Sequence, residues 1–259
     1  MGFSKSKRQV SQIAKKRDFS EVLGEYRHEI KKSQMFKELC QSLEAYRQHI
    51  VRVRCLAIGS FHEEFPAKWQ LALLMEVLDY LNASNPSVSL YDPVFTEEDL
   101  RFVSLLEGWS VDERISPEWI KDSSRTLFFL PHAPLDLTEL VLGKEQPKYW
   151  LANHFVAHTD RYTKLQLFET YPLISKLVNS LSETDSPRDQ AASQDEFTTF
   201  VSRRRRKNRQ TYQEPKLDYS SIGSSFQKCQ LLQDFQRGEL LKDQPWINSF
   251  SDLALHLID

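Results

Sequence analysis

The residues best suited to ligand chemistry occur where short apolar runs of the sequence end. Seven of them share this position, namely Gly59, Ser60, Phe61, Asp92, Pro93, His132 and Asn153. If the runs are parallel strands, their carboxyl ends meet at one edge of a sheet, where ligands of open α/β folds bind. We therefore expect these residues to form a ligand site, with Asp92 and His132 close together in one crevice.

Two interpretations of Gly59 and Asp92 remain open. An acid after the second strand is where proteins that bind a dinucleotide or S-adenosylmethionine often hold a ribose, and a glycine permits close backbone approach. The turn, however, reads Gly-Ser-Phe, and Asp92 lies farther from it than the about 20 residues of the dinucleotide motif. In the second interpretation, Gly59 only turns the chain and Asp92 caps local backbone.

Other catalytic and metal-binding patterns are weak or absent. His154 and His158, with Asp160 nearby, have a spacing that can hold a metal, but this spacing is common by chance, so we expect no metal. The three cysteines are far apart and form no C-x-x-C pair, which argues against a disulfide scaffold and a cysteine zinc site. P-loop, G-x-S-x-G and H-E-x-x-H motifs are missing, so no cofactor or catalytic residue can be named.

Strands and helices alternate along the middle of the chain. We predict strands at 51–58, 88–92, 126–130 and 148–152, and a helix at 67–81 between the first two. Two helices precede them, and others begin at Thr96, at Leu135 and near Leu165, where Pro172 can split the last. This alternation predicts an α/β fold, a Rossmann-like three-layer structure with a mostly parallel sheet.

Composition limits the class of protein further. The 259 residues include 34 Lys+Arg and 36 Asp+Glu, so the net charge of −2 gives no bulk attraction for nucleic acid. Only 7 residues are glycine, which disfavours a fold with several phosphate-binding loops. No apolar run reaches the about 18 residues of a membrane-spanning helix, and no secretory signal is visible. Together with the scattered cysteines, these features predict an intracellular protein.

Charge and polarity divide the chain into four parts. We expect a basic flexible arm at 1–17, an α/β domain at 18–181, a charged flexible linker at 182–215, and a segment at 216–259 that packs on the core. The linker contains a basic run that is a candidate targeting signal or a solvated charge run: Arg203, Arg204, Arg205, Arg206, Lys207 and Arg209. Gly2 fits a loose myristoylation pattern that the bulky Phe3 weakens.

Four phrases in order carry a family resemblance: Cys55–Phe61, Trp69–Leu74, Tyr91–Phe95 and Leu127–Ala133. This series resembles the SRR-like family, named for a plant protein whose loss reduces sensitivity to red light. It is most similar to the fungal branch, whose yeast member is linked to benomyl sensitivity. Many members have a Gly-Asn-Ser-Phe phrase where this chain has alanine, Asn153, histidine and phenylalanine, so only the asparagine is retained.

The resemblance implies a regulatory protein with protein partners, located in the cytoplasm with the nucleus as a second location. It ties the family to microtubule function, light and circadian signalling, or haem biosynthesis. It supplies no established reaction. The competing hypothesis is a Rossmann-like enzyme or sensor that binds a nucleotide or S-adenosylmethionine at Gly59, Ser60, Asp92 and His132. The two hypotheses differ in whether Gly59, Asp92, His132 and Asn153 converge on one solvent-reachable pocket.

Overall fold

In the computed structural model, which describes residues 17–81, 87–115, 123–184 and 216–259, seven strands form one sheet. Their bounds are Arg52–Leu56 (β1), Ser87–Tyr91 (β2), Trp109–Val111 (β3), Thr126–Leu130 (β4), Tyr149–Asn153 (β5), Cys229–Gln233 (β6) and Leu253–Ile258 (β7). The four predicted strands are confirmed as β1, β2, β4 and β5, each within two residues of its expected bounds.

The order across the sheet is β3-β2-β1-β4-β5-β7-β6. Strands β1 to β5 are parallel, and β7 runs antiparallel to both β5 and β6. The chain builds outward from β1 to β3 and then returns to β4 on the other side of β1. The order of β1 to β5 is that of the doubly wound dinucleotide-binding fold, and it places the topological switch point between β1 and β4; the antiparallel pair β7 and β6 extends the sheet beyond β5.

Helices cover both faces of the sheet and give it the expected three layers. Their bounds are Phe19–Lys32 (α1), Gln34–Leu43 (α2), Phe65–Leu81 (α3), Glu97–Ser104 (α4), Leu135–Glu145 (α5), Phe155–His158 (α6), Lys164–Thr170 (α7) and Pro172–Thr184 (α8). The first four pack in one apolar cluster, and α5 to α8 pack in the cluster on the opposite face. Helix α3 confirms the prediction for 67–81, and Pro172 begins α8 as a new helix.

Short-range chemistry explains where the helices around the site begin. The Asp18 carboxylate accepts hydrogen bonds from the N–H groups of Ser20 and Glu21 at the start of α1. A capping box starts α4, in which Thr96 and Asp99 bond each other's backbone N–H groups. Thr96 is therefore the cap that the sequence predicts, and its partner Asp99 is drawn into the interior.

A buried cation in β1 bonds groups from three other parts of the chain. Arg54 in β1 is 0% exposed and donates to Ser89 Oγ at 2.9 Å and to Glu145 Oε2 at 3.4 Å. It also bonds the Asp112 carboxylate after β3 and the carbonyl of Ile115. Because a buried charge is tolerated only when it is paired, this cluster fixes the chain after β3 and the end of α5 against β1.

Residues 216–259 supply β6 and β7, the last two strands of the sheet. Between these strands, Phe235, Gln236, Arg237 and Gly238 have φ of 53°, 59°, 58° and 80°. Four successive residues in the left-handed region form a strained turn, which Phe235 anchors because it is 0% exposed. The sequence analysis missed β6 and β7, together with the short strand β3 and the single-turn helix α6.

Several sequence-based expectations concern residues outside the described ranges. These are Gly2, the basic run at 203–209, and almost all of the expected arm and linker. Helix α8 continues to Thr184, three residues into the expected linker. In the described parts of the chain, every helix is too short or too polar to cross a bilayer.

Candidate functional site

The loop after β1 and the end of β2 are bonded to each other at the carboxyl edge of the sheet. Gly59 has φ of +77°, and its N–H donates to Asp92 Oδ2 at 2.7 Å. Asp92 Oδ1 accepts a second hydrogen bond from the N–H of Val94 at 3.1 Å. The structure thus brings Gly59 and Asp92 together, and the N–H of Gly59 and the carboxylate of Asp92 are hydrogen-bonded to each other.

A second carboxylate closes the space beside Gly59. A Cβ atom at Gly59 would lie 3.1 Å from Glu64 Oε2 and 3.4 Å from the Cβ of Ala67. The N–H of Ser60 lies 3.5 Å from Glu64 Oε1. Glu64 immediately precedes α3, so its carboxylate lies where the N-terminus of this helix would receive the phosphate of a nucleotide.

Ser60 and Phe61, two other expected ligand-binding residues, lie in the interior. Ser60 is 1% exposed, and the N–H of Glu63 donates to its Oγ at 3.3 Å. Phe61 is 0% exposed and packs against the rings of Phe95 and Phe102, with centroids 5.6 Å away in each case. Phe61 therefore belongs to the core. Pro93, another expected site residue, is exposed beside Asp92.

Next to this loop lies a histidine–aspartate pair that the sequence analysis missed, and which we call the first pair. His62 Nδ1 lies 2.7 Å from Asp99 Oδ1, which also accepts the backbone N–H of His62 at 3.0 Å. Asp99 Oδ2 accepts the backbone N–H and the hydroxyl of Thr96, both at 2.9 Å. Asp99 is 0% exposed, and the groups that contact its carboxylate oxygens are hydrogen-bond donors.

These donors keep the carboxylate ionised. Burial alone would raise the pKa of Asp99, but hydrogen bonds from Thr96, His62 and Ser60 outweigh it and hold the pKa below its usual range. The fixed negative charge makes His62 Nδ1 the hydrogen-bond donor, and Nε2 is then the acceptor of the neutral ring. The ring of Phe19 stacks on that of His62, with centroids 4.0 Å apart.

His132 and Asn153, the remaining expected site residues, belong to the other half of this edge. His132 is exposed and its Nε2 lies 2.9 Å from the carbonyl oxygen of Asn248. Asn153 is 6% exposed and donates to Asp252 Oδ1 at 2.8 Å. In the described residues, no ion pair joins His132 to Asp92, so the expected contact between these two side chains is not formed.

Asp252 holds a second histidine–aspartate pair at the end of β5. His158 Nδ1 lies 3.1 Å from Asp252 Oδ2, and these two side chains are 27% and 22% exposed. Burial would raise the pKa of Asp252, but hydrogen bonds from His158 and Asn153 hold it below its usual range. Asp252 precedes β7, so this second pair fastens the last strand to the region after β5.

The weak metal candidates have other roles. His154 accepts the N–H groups of Val156 and Ala157 at the start of α6, and His158 bonds Asp252, while Asp160 is exposed. Across the described ranges, His, Cys, Asp and Glu side chains form no group of three suited to a metal ion. The cysteine in β1, Cys55, is buried, and burial raises the pKa of its thiol well above the usual range.

Two cavities open at the carboxyl edge, one beside each pair. A cavity of about 420 Å³ lies next to the first pair and is lined in part by Phe19, Val22, His62, Glu63, Lys68 and Glu98. A smaller one of about 210 Å³ lies next to the second pair and is lined in part by His154, Asp234, Arg237, Gly238, Ser251 and Asp252. Gly59, Asp92, His132 and Asn153 line neither cavity.

Comparison with known proteins gives a consistent picture. The sequence profile described as the SRR1 domain matches residues 36–257. An SRR1-like protein of Drosophila melanogaster is 25% identical over 118 residues, which is 46% of this chain and 42% of that protein. The matched part is therefore less than half the length of this relative. No solved structure gives a significant match.

Proposed function

This chain belongs to the SRR1 domain family, and from that premise we propose that it is a regulatory protein that acts by binding a protein partner rather than by catalysis. The supporting observation is that the loop after β1 and the end of β2 are hydrogen-bonded to each other at the carboxyl edge of the sheet, next to the switch point. Asp92 bonds the N–H of Gly59, and Glu64 fills the space beside that glycine. A nucleotide would have to displace both carboxylates to reach the helix N-terminus and the ribose position.

The more specific part of the proposal, which concerns the branch, the process and the location, rests on the family resemblance. We propose that the chain belongs to the fungal branch and acts in a microtubule-related process, in the cytoplasm and the nucleus. The basic run at 203–209 would supply nuclear targeting, and the charged segment at 182–215 would contact the partner. Light and circadian signalling and haem biosynthesis are the other processes to which the resemblance connects the family.

Direct binding measurements separate this proposal from the nucleotide or S-adenosylmethionine hypothesis. We expect native mass spectrometry of the purified full chain to find no retained nucleotide or S-adenosylmethionine. Thermal unfolding with NAD, ATP or S-adenosylmethionine should leave the melting temperature unchanged. A ligand present at about 100 times its Kd would stabilise the fold by about 2.7 kcal/mol and raise the melting temperature by several degrees. A shift of that size would contradict the proposal.

A genetic experiment tests the process. Deletion of the gene in its source organism should change growth on benomyl, and the wild-type chain should restore it. A variant with the six basic residues of 203–209 replaced by glutamine should accumulate outside the nucleus, whereas replacement of the exposed Lys31 and Lys32 should not change localisation. An unchanged benomyl response together with altered haem content would overturn the microtubule assignment.

A further inference from the structure

The cavity beside the first pair has a histidine that is prepared for a ligand. His62 Nδ1 is committed to Asp99, and the described residues make no hydrogen bond to Nε2. The ring is held on one face by Phe19, at 4.0 Å between centroids, and its side chain is 21% exposed. A rigid imidazole with one committed nitrogen and one open nitrogen is the arrangement that positions a proton acceptor.

Charged side chains of both signs line the same cavity, and three of them form no ion pair with a described residue. Lys68, near the start of α3, forms no ion pair with any described residue. Glu63 and Glu98 are exposed and are likewise unpaired within the described ranges. The cavity has two more charged residues, and both already have partners. Arg17 forms an ion pair with Glu25, and Asp18 caps α1. A ligand with one sign of charge would therefore meet repulsion at one side of the cavity.

The arrangement suits a ligand with both charges a short distance apart. An ammonium group has three donors and no acceptor, which matches His62 Nε2 and the carboxylates of Glu63 and Glu98. A carboxylate on the same molecule would match the ammonium of Lys68. Phe19 and Val22 provide an apolar wall, and about 420 Å³ is enough space for a small molecule with a side chain.

We propose that this cavity binds a small zwitterion of the α-amino acid class, with its ammonium at His62 Nε2 and its carboxylate at Lys68. The site is separate from Gly59, Asp92, His132 and Asn153. It goes beyond the proposed function and does not depend on it, because a regulatory protein and an enzyme could both use it. In a regulatory protein it would make partner binding responsive to an amino acid.

The test is an NMR titration of the full chain that follows the Cε1–H resonance of His62, assigned by its loss in His62→Gln. Each of the twenty protein amino acids is added in turn at millimolar concentration. We expect at least one to shift this resonance saturably while that of His158 stays fixed. The deaminated and decarboxylated analogues of the tightest ligand should each bind at least about tenfold more weakly, because each leaves one charge of the cavity unpaired.

Variants localise the effect. Lys68→Gln should weaken binding of the amino acid at least about tenfold and leave binding of the decarboxylated analogue unchanged, since Lys68 contacts only the carboxylate. His158→Gln is the matched control, because it alters the other histidine–aspartate pair, and it should leave the titration unchanged. The proposal is overturned if no amino acid gives a saturable shift, if either analogue binds as well as its parent, or if Lys68→Gln has no effect.

Discussion

The two histidine–aspartate pairs at the carboxyl edge differ in what else their carboxylates hold. Asp99 of the first pair is completely buried and bonds groups of the loop after β1 and of the start of α4. Asp252 of the second pair is partly exposed and bonds Asn153 and His158, which lie 99 and 94 residues away along the chain. The same chemical pair thus fixes a loop in one place and a distant strand in the other.

The two pairs therefore have different structural roles: the first positions an imidazole, and the second holds a strand in place. The first pair holds an imidazole rigidly at the wall of a cavity, with every carboxylate lone pair directed at a local donor. The second pair joins β7 to the end of β5, so its removal should loosen the C-terminal strands before the rest of the sheet.

Asp99→Asn should give the largest loss of stability. The amide cannot accept from His62, Thr96 and the backbone at once, and its NH₂ group would face donors in a fully buried position. We expect the free energy of unfolding to fall by about 2–4 kcal/mol, measured by urea denaturation. Glu97→Gln, at an exposed position in the same helical turn, is the matched control and should change it by less than about 0.5 kcal/mol. An equal loss of unfolding free energy in the two variants would contradict a stabilising role for the buried carboxylate of Asp99.

Acid should destabilise the region of the second pair through His256. This residue of β7 is 0% exposed, and burial lowers its pKa from 6.5 to about 3. The unfolded chain therefore binds the proton more readily, so the stabilisation is complete above about pH 6.5 and is lost as the pH falls toward 3. The loss should reach about 2 kcal/mol near pH 5.

His256→Leu should remove this acid dependence without a large loss at neutral pH. Among the described residues, neither ring nitrogen of His256 has a hydrogen-bond partner of normal geometry, so an apolar side chain gives up little there. Urea denaturation at a series of pH values gives the slope, and the exposed His28→Gln serves as control. If the slope near pH 5 is the same in both variants, the acid response has another origin.

Asp252→Asn should have a smaller and more local effect than Asp99→Asn. It weakens the bonds to His158 and Asn153, but solvent reaches the site, so we expect a loss of about 1–2 kcal/mol. Hydrogen exchange should accelerate in β6 and β7 and remain slow in β1 and β4. Exchange that accelerates equally in all four strands would contradict the fastening role.

Asp92→Asn should have the smallest effect. The side-chain oxygen of asparagine can still accept one of the two backbone N–H groups that Asp92 holds, so we expect a loss of about 1 kcal/mol. Biological activity should persist under the proposed function, whereas the nucleotide hypothesis requires it to fall while stability holds. Ser87→Ala, at the exposed first position of β2, is the matched control and should leave both stability and activity unchanged.

The sequence predicts the parallel sheet because short, largely apolar runs alternate with helices. The central strands β4 and β5 are buried along their whole length, as strands covered on both faces are. Cys229–Gln233 mixes polar and apolar residues at the edge of the sheet, and β3 has only three residues, so neither has a clear pattern. Strand β7 is fully buried, but a short apolar run near other apolar segments does not identify its neighbours.

The site was only partly predictable for a related reason. Parallel topology correctly brings Gly59 and Asp92 to one edge, since the ends of adjacent strands must meet there. Neither pair could be read from spacing, because His62 and Asp99 are joined only when α4 folds back over the loop after β1. Thr96 and Asp99 carried the available signal, since their spacing is that of a capping box and places Asp99 in the first turn of α4.

The position of β7 also has a consequence for synthesis. On the ribosome, β5 is complete long before residue 253 is made, yet its partner on one side is β7. Strand β6 contacts the sheet only through β7, so it also waits for that strand. The nascent chain therefore exposes an unpaired strand edge until translation has passed Ile258, and this interval is when a chaperone would protect it from aggregation.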